Sequence, residues 1–423
     1  MTGPWPVPGA ADGAVREREP GWASGERRSR LEPWLWFGVV HALLVLVAPL
    51  AGTGDVTLVY QHWFDGWVHG APLVGIGTDW VYPVLALVPI ISAGALPGLY
   101  LATWLLLVVA LDAIAYRWVL REDPSAARWW LFLLLALGPV SIGRLDSVAA
   151  PLLLLGGIVL LRRPRVAAVL ITVAAWVKVW PAVAVLAATV SGPRRTWFLL
   201  TAAITSAVVV AADVLLGGGA HLLSFLTEQT GRGLEFEAPV TSIWLWLGAF
   251  GAAHVRTMFD KRLLDVEVVG DGTREAALAT TVLMAVLVMA VVVLAVVAAR
   301  RNPRPAAWIF APLLLALTLV LIVTNKVGSP QYVAWLAPPV VLGLIADRRG
   351  FRRIAACVLA VAVITQVEAY TAFLGLGVVT LVMLTVRNVG YLVLLAWSVA
   401  LIVRGRPPGA EGIRSRARTP STR

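Results

Sequence analysis

Two of the three lysines in this sequence lie where a positive charge is costly. Lys178 is in the middle of an apolar stretch and Lys326 directly follows another, and each is soon followed by a proline, Pro181 or Pro330. A cation at membrane depth is expensive and is kept mainly for function. Most of the other basic residues are arginines in short clusters, so lysine does not serve here as general surface charge. The pattern predicts an anion site inside a membrane.

The composition places the whole chain in a membrane. Of its 423 residues, 59% are hydrophobic and only 14% are charged, and the mean hydropathy is +0.82. Apolar runs such as residues 276–299 and 306–323 are long enough to cross most or all of a hydrocarbon core of about 30 Å. The short alternating strands of a membrane β-barrel are absent from the sequence, so the spans are expected to be helices.

The net charge of +11 indicates topology and not a nucleic-acid surface, because most arginines fall in short loops between apolar runs. Such loops face the cytoplasm, and both chain ends are predicted to lie there. The Pro/Gly-rich segment 1–32 and the segment 404–423 are predicted to be disordered tails around a membrane domain at 33–403. The basic loops are residues 16–30, 117–128, 162–165, 194–195, 300–304 and 348–353.

The predicted architecture is an all-α transmembrane bundle with ten to twelve spans. Two apolar stretches make the number uncertain. Residues 166–190 carry Lys178 and Pro181 at their middle, with arginines at both ends, which predicts two short helices or a re-entrant hairpin broken at the proline. Residues 81–96, followed by Pro97 and Gly98, are equally ambiguous.

Three polar segments without basic clusters are predicted to lie on the opposite face and to form the working surface. We call them the outer segments: residues 52–80, 217–274 and 324–331. The first begins with Asp55 and continues with apolar and aromatic residues spaced three and four apart, which predicts a helix lying in the membrane interface. From the residues alone, Asp55 is typical of a helix cap. The residues with this spacing are Val56, Val59, Tyr60, Trp63, Phe64 and Trp67.

Several blocks of the chain resemble glycosyltransferase family 87, the polyprenyl-phosphate-mannose-dependent α-mannosyltransferases of actinobacterial type within the GT-C class. The resemblance runs from Gly54 to Pro338, and the proline-associated lysine and the Ser-Pro-Gln-Tyr block are its more specific parts. The blocks are Asp55 with Tyr60, Trp63, Gly70, Pro72, Tyr82 and Pro83; Gly143-Arg144-Leu145-Asp146; Lys178-Val179-Trp180-Pro181; Arg232-Gly233-Leu234-Glu235 with Glu237; and Ser329-Pro330-Gln331-Tyr332 with Trp335 and Pro338.

This resemblance implies a GT-C-type fold and an inverting sugar transfer at the outer face of the plasma membrane. A hexose, with mannose as the expected sugar, passes from a polyprenyl-phosphate carrier to an envelope glycolipid or polysaccharide. Asp55 corresponds to the general base that takes the proton of the acceptor hydroxyl. The expected partners are membrane lipids, the lipid-linked donor and the acceptor, with no cofactor and no nucleic acid.

The resemblance also implies cations around the leaving lipid phosphate, and Lys178, Arg232 and Lys326 are the candidates. Each has an ordinary alternative: snorkelling to a headgroup, solvation in a loop, or anchoring at a helix end. The candidate substrate-binding residues have alternatives too, first of all a mutual ion pair between Arg144 and Asp146, then a wet loop or an aromatic membrane belt. These candidates are Tyr60, Arg144, Asp146, Glu235, Glu237, Gln331 and Tyr332.

Neither a metal nor a nucleotide is expected. The five histidines show no ligand spacing, no Asp-x-Asp occurs in the outer segments, the one cysteine, Cys357, lies in an apolar run, and no glycine-rich phosphate loop is present. The competing functions are a transporter or lipid flippase for envelope precursors, and a scaffold for envelope assembly. A transporter would use the ionisable residues of the apolar runs as a substrate or proton path, namely Lys178, Asp112, Asp213 and Glu368.

Overall fold

The computed structural model describes residues 21–192, 194–251, 254–260, 265–302, 306–375 and 377–405, and these are almost entirely helical. The first half contains the helices α1 (Gly21–Val47), α2 (Gln61–Val68), α3 (Leu87–Ala93), α4 (Tyr100–Glu122), α5 (Pro124–Leu137), α6 (Asp146–Val159), α7 (Pro164–Val177) and α8 (Ala182–Ser191). The second half contains α9 (Arg195–Leu215), α10 (Ser224–Thr230), α11 (Ser242–Ala249), α12 (Thr273–Arg301), α13 (Phe310–Val323), α14 (Ala337–Ala346), α15 (Arg348–Phe373) and α16 (Gly377–Arg404).

Within the described residues, six segments are long and apolar enough to cross a membrane: residues 31–50, α4, α9, α12, α15 and α16. Six further apolar segments are shorter, at 10 to 17 residues. The predicted class, a transmembrane helical bundle, is confirmed. Residues 1–20 and 406–423 of the predicted tails lie outside the described residues, and α1 begins at Gly21, inside the segment predicted as the first tail.

The centre of the bundle is the pair α13 and α14, whose side chains are buried almost without exception. A helix that is apolar all round is either surrounded by other helices or exposed to lipid, and α13 is surrounded, because it packs on α8, α12, α14 and α16. The link between the two central helices contains Lys326 and the 3₁₀-helical segment Pro330–Leu336. Lys326 therefore lies at one end of the buried core, where α13 has just ended.

Proline interrupts the stretch around Lys178, as predicted. α7 ends at Val177, Lys178 has an extended backbone, and α8 begins after Pro181. The stretch is thus two short helices with Lys178 at the break. The ambiguous stretch after residue 80 holds a 3₁₀ turn, Val84–Ala86, and the short helix α3.

The first outer segment contains the predicted helix. It starts as a π-helical turn, Asp55–Tyr60, and continues as α2. Single π-helical turns are rare in proteins overall, but those that occur are often found at functional sites. Tyr60 and Trp63 point inward, and their rings pack on Trp104 at 5.2 Å and on Trp80 at 5.5 Å between centroids.

The second outer segment contains a small antiparallel sheet that the all-α prediction did not include. Its strands are β1 (Leu234–Glu235), β2 (Arg256–Asp260) and β3 (Asp265–Val269), in the order β1-β3-β2. Leu234 pairs with Val268 and Glu235 with Glu267. The sheet fixes the backbone directly after Arg232.

Candidate active site

The carboxylate of Asp55 is held by two side chains. Arg144 forms an ion pair with its Oδ1, and the hydroxyl of Tyr60 donates a hydrogen bond of 3.4 Å to its Oδ2. Burial raises the pKa of Tyr60 well above its usual value, so this hydroxyl stays protonated. Gly54 occupies the cap position without a side-chain cap bond. The carboxylate therefore does not cap its helix, and its side chain remains 27% exposed.

Arg144 reaches Asp55 because two glycines let their backbones meet. A Cβ on Gly143 would lie 2.3 Å from the carbonyl oxygen of Gly52, which only a residue without a side chain allows. The predicted ion pair between Arg144 and Asp146 is wrong. Arg144 turns to Asp55, whereas Asp146 begins α6 and points to Lys178.

The ammonium of Lys178 is fixed by a buried carboxylate. Its Nζ lies 2.6 Å from Oδ2 of Asp146, and the indole nitrogen of Trp335 donates to Oδ1 of Asp146 at 2.5 Å. The side chain of Asp146 is 1% exposed and that of Lys178 is 14% exposed. A buried ion pair is tolerated when its remaining polar atoms are also bonded, so Asp146 holds Lys178 at a defined place.

A second cationic corner joins Arg232, Glu235 and Lys326. Nη2 of Arg232 lies 2.8 Å from Oε1 of Glu235, which is 1% exposed. The backbone N–H of Glu235 donates to the carbonyl of Lys326 at 2.9 Å, and the N–H of Gly328 donates to Oε2 of Glu235 at 3.1 Å. The two outer segments that carry Arg232 and Lys326 are thereby bonded to each other through Glu235.

Burial lowers the pKa of Lys326, and the nearby charge of Arg232 lowers it further, while Glu235 acts in the opposite direction. Arg232 and Lys326 are thus two cations close enough to affect each other, with the carboxylate of Glu235 near both. An anion bound at this corner would favour the charged form of Lys326.

Tyr82 connects the two cationic groups. Its ring lies 5.6 Å from Nζ of Lys178, within range of a cation–π contact, and its hydroxyl contacts that of Tyr60. Burial raises the pKa of Tyr82 to about 12, and the charges of Asp146, Arg232 and Glu235 also act on it. Asp55, Lys178 and Arg232 thus lie around one pair of tyrosines, and Lys326 is connected to them through Glu235. Tyr82 was part of the family resemblance but was not predicted as a site residue.

The cluster combines carboxylates with several cations. Asp55, Asp146 and Glu235 supply three carboxylates. Arg144, Lys178 and Arg232 supply three cations, and Lys326 is the fourth when it is protonated. A group of cations gathered at one place suits an anionic ligand.

The remaining predicted substrate-binding residues lie beside this cluster. Tyr332 packs on Trp335, with ring centroids 4.0 Å apart, and Gln331 accepts a hydrogen bond from the hydroxyl of Ser329. Glu237 is drawn to another partner, because its Oε2 lies 2.9 Å from Nη1 of Arg387. Arg387 was missed at the sequence level, although a single arginine inside the apolar run 377–403 is itself a signal.

An apolar cavity of about 620 Å³ opens next to the cluster. Its walls come from α7, α8 and α9, with Trp176 and Phe225 among the lining side chains. Pro83 and Val179 also line it, and these residues directly follow Tyr82 and Lys178 in the chain. The cavity therefore begins where the cationic cluster ends.

The four residues predicted for a transport path lie in separate groups of contacts. Asp112 pairs with His41 at 3.2 Å, Glu368 lies 3.3 Å from Arg387, and Lys178 belongs to the charged cluster around Asp55. Asp213 has no hydrogen-bond partner for its carboxylate among the described residues. In that part of the chain, no hydrogen bond or ion pair joins one of these four side chains to another. The same described ranges contain no group of three or more His, Cys, Asp or Glu placed to hold a metal.

Comparison with known proteins identifies the family. The profile of glycosyltransferase family 87 matches residues 80–324, more than half of the chain. The matched stretch contains Arg144, Lys178 and Arg232, whereas Lys326 lies two residues after it and Asp55 lies 25 residues before it. No curated protein and no solved structure matches the chain significantly. The chain belongs to glycosyltransferase family 87 and is a membrane glycosyltransferase.

Proposed function

We propose that this enzyme transfers a hexose, with mannose as the expected sugar, from a polyprenyl-phosphate carrier to a hydroxyl of an envelope glycolipid or polysaccharide. The transfer takes place at the outer face of the plasma membrane and inverts the anomeric carbon. The observation that carries the proposal is the cluster itself, in which one partly exposed carboxylate and several cations stand beside an apolar cavity.

Asp55 is the general base in this mechanism. Its carboxylate accepts the proton of the acceptor hydroxyl while the acceptor oxygen forms a bond to the anomeric carbon. The bond from that carbon to the phosphate oxygen breaks, and its electron pair leaves with the polyprenyl phosphate. Arg144 and Tyr60 hold the carboxylate in one direction, and positioning of this kind supports proton transfer.

The leaving phosphate gains negative charge as the bond breaks, and fixed cations stabilise it. Lys178 is held in place by Asp146, and Arg232 and Lys326 approach from the second and third outer segments. The apolar cavity gives the first units of the polyprenyl chain a place beside Lys178. A nucleotide sugar has no apolar chain to fill such a space.

The direct test is transfer of radiolabelled mannose from polyprenyl-phosphate-mannose by membranes that contain the enzyme. Asp55→Asn keeps the size of the side chain and removes the base, so we expect transfer to be abolished while the protein is still produced and folded. Asp65→Asn is the matched control, because Asp65 is a carboxylate on α2 outside the cluster. Retained transfer in Asp55→Asn would remove Asp55 from the mechanism.

A second outcome would favour transport. If the wild-type protein in proteoliposomes moves a polyprenyl-phosphate sugar across the bilayer and transfers no sugar to any envelope lipid, the proposed reaction is wrong. Lipid analysis of a deletion strain then identifies the acceptor, because the product of the missing step disappears and its precursor accumulates.

A further inference from the structure

Arg387 lies within the apolar span α16, and its side chain is 2% exposed. A buried guanidinium is costly unless its donors are bonded. Nη2 of Arg387 donates to the backbone carbonyl of Glu237 at 2.6 Å, and Nη1 donates to the carboxylate of Glu237 at 2.9 Å. Nη1 also lies 3.3 Å from Glu368 on α15. Arg387 thus binds both the backbone carbonyl and the side-chain carboxylate of Glu237, a residue of the second outer segment.

Glu237 belongs to the segment that carries the second cationic corner. It is two residues from Glu235, which binds Arg232 and the N–H of Gly328. A Cβ on Gly328 would lie 2.1 Å from the carbonyl carbon of Glu237, so the two backbones are in direct contact. A displacement of Glu237 would therefore move both outer segments at once.

We propose that Arg387 is a positioning residue that holds the segments 232–238 and 326–328 together, so that Arg232 and Lys326 face the leaving phosphate. The proposal rests on the proposed function for its catalytic consequence and on the contacts of Glu237 for its structural one. Arg387 acts on the cationic corner through Glu237 and Glu235. It also lies outside the residues matched by the family profile.

The geometry requires arginine at this position. A guanidinium presents several donors in a flat fork, which lets one side chain bind a carbonyl and two carboxylates simultaneously. A lysine ammonium is a single point charge on a flexible stem. Arg387→Lys should keep the ion pair with Glu237 and lose the simultaneous grip on its carbonyl.

The first experiment measures hydrogen exchange of the purified enzyme without substrate. Peptides that cover residues 233–238 and 326–329 report the N–H groups of Glu235 and Gly328, both of which are hydrogen-bonded between the two segments. In Arg387→Met we expect these amides to exchange at least about tenfold faster, and in Arg387→Lys we expect an intermediate rate. Thr385→Val is the matched control, because the Thr385 hydroxyl on the same helix bonds Trp246 of α11 and not Glu237. It should leave these peptides unchanged.

Unchanged exchange in Arg387→Met, or equal acceleration in Thr385→Val, would overturn the proposal. If Arg387→Met does not fold, the two single variants Glu237→Gln and Arg387→Lys give the same test. Each weakens the contact between the two residues and still leaves a hydrogen-bonding side chain at the changed position. This readout needs no activity. A wild-type enzyme that transfers no mannose would therefore defeat the proposed function and leave the role of Arg387 to be decided by exchange.

The second experiment asks whether Arg387 acts through Arg232. We measure kcat and KM for mannose transfer in the single variants Arg387→Met, Arg232→Gln and Lys178→Gln and in the two double variants with Arg387→Met. The loss of kcat in Arg387→Met and the loss in Arg232→Gln should combine to less than their sum in the double variant. The losses in Arg387→Met and Lys178→Gln should add, because Lys178 is held by Asp146 and not by segments 232–238 and 326–328. Additivity with both would indicate a general structural defect and would refute the positioning role.

Discussion

Lys178 and Lys326 are both followed closely by a proline, yet their surroundings in the structure differ. Lys178 has a buried carboxylate 2.6 Å away and the ring of Tyr82 above it. Lys326 is buried near Arg232, and its pKa is lowered by burial and by that positive charge. One cation is held against a carboxylate, whereas the other lies beside a second cation.

The difference indicates two roles for cations around one phosphate. A lysine paired with a buried carboxylate keeps its charge and its place whether or not substrate is bound. A lysine beside an arginine is stabilised when an anion arrives between them. Lys178 would thus serve as a fixed support, and the corner of Arg232 and Lys326 would respond to the charge that develops on the leaving group.

The largest effect is expected at the fixed support. Lys178→Gln should lower kcat by about 100-fold or more, because one donor aimed at developing charge is lost. Asp146→Asn should also lower transfer, and in addition it should reduce the free energy of unfolding by about 3–5 kcal/mol, since the Lys178 ammonium is left without its carboxylate. Sugar transfer and thermal unfolding in detergent measure the two effects.

The double variant Asp146→Asn/Lys178→Gln sharpens this prediction. It removes both charges, so thermal stability should recover most of the loss seen in Asp146→Asn while transfer stays low. Recovery of transfer in the double variant would show that Lys178 is a structural cation and that the phosphate is bound elsewhere.

A smaller effect is expected from the pH dependence of Lys326. Its pKa is lowered from 10.5, so the side chain loses its proton, and with it the charge that supports the leaving phosphate, at a lower pH than an ordinary lysine would. The alkaline limb of the kcat/KM profile for mannose transfer should reflect this loss. Lys326→Arg should abolish that limb because arginine stays charged.

Lys178→Arg is the control for this profile. The replacement keeps a cation beside Asp146, so it should leave the alkaline limb where it is. If the limb moves with Lys178→Arg and not with Lys326→Arg, the two roles are reversed.

The smallest effect is expected from Trp335→Phe. The change removes the N–H that donates to Asp146 and keeps an aromatic ring to pack on Trp180 and Tyr332. Lys178 still pairs with Asp146, so we expect kcat/KM to fall by only about fivefold. A loss as large as that of Lys178→Gln would mean that the indole nitrogen itself contacts the substrate.

The parts of the site that follow local rules were predicted from the sequence. The break at Lys178 follows from Pro181, and the helix after Asp55 follows from aromatic spacing. The helical membrane class followed from composition alone, because lipid leaves few options for a buried backbone.

The parts that depend on distant contacts were not predicted. Arg144 and Asp146 are two residues apart and yet bind different partners, because Gly143 packs on Gly52 and α6 begins at Asp146. The spacing of residues along the chain cannot show which of several opposite charges a side chain will pair with in the folded protein. Arg387 and Glu237 bind each other although they are 150 positions apart in the chain. The short sheet forms because β1 pairs with β3, a strand that is distant from it in the sequence.

The most direct test of the central claim is an experimental structure with polyprenyl phosphate bound. The account predicts the phosphate within hydrogen-bonding distance, about 3.2 Å or less, of Lys178 and of Arg232 or Lys326, with the chain in the cavity lined by Trp176 and Phe225. Asp55 should face the open side of the phosphate. A phosphate bound away from these cations, or a lipid chain outside that cavity, would contradict the account.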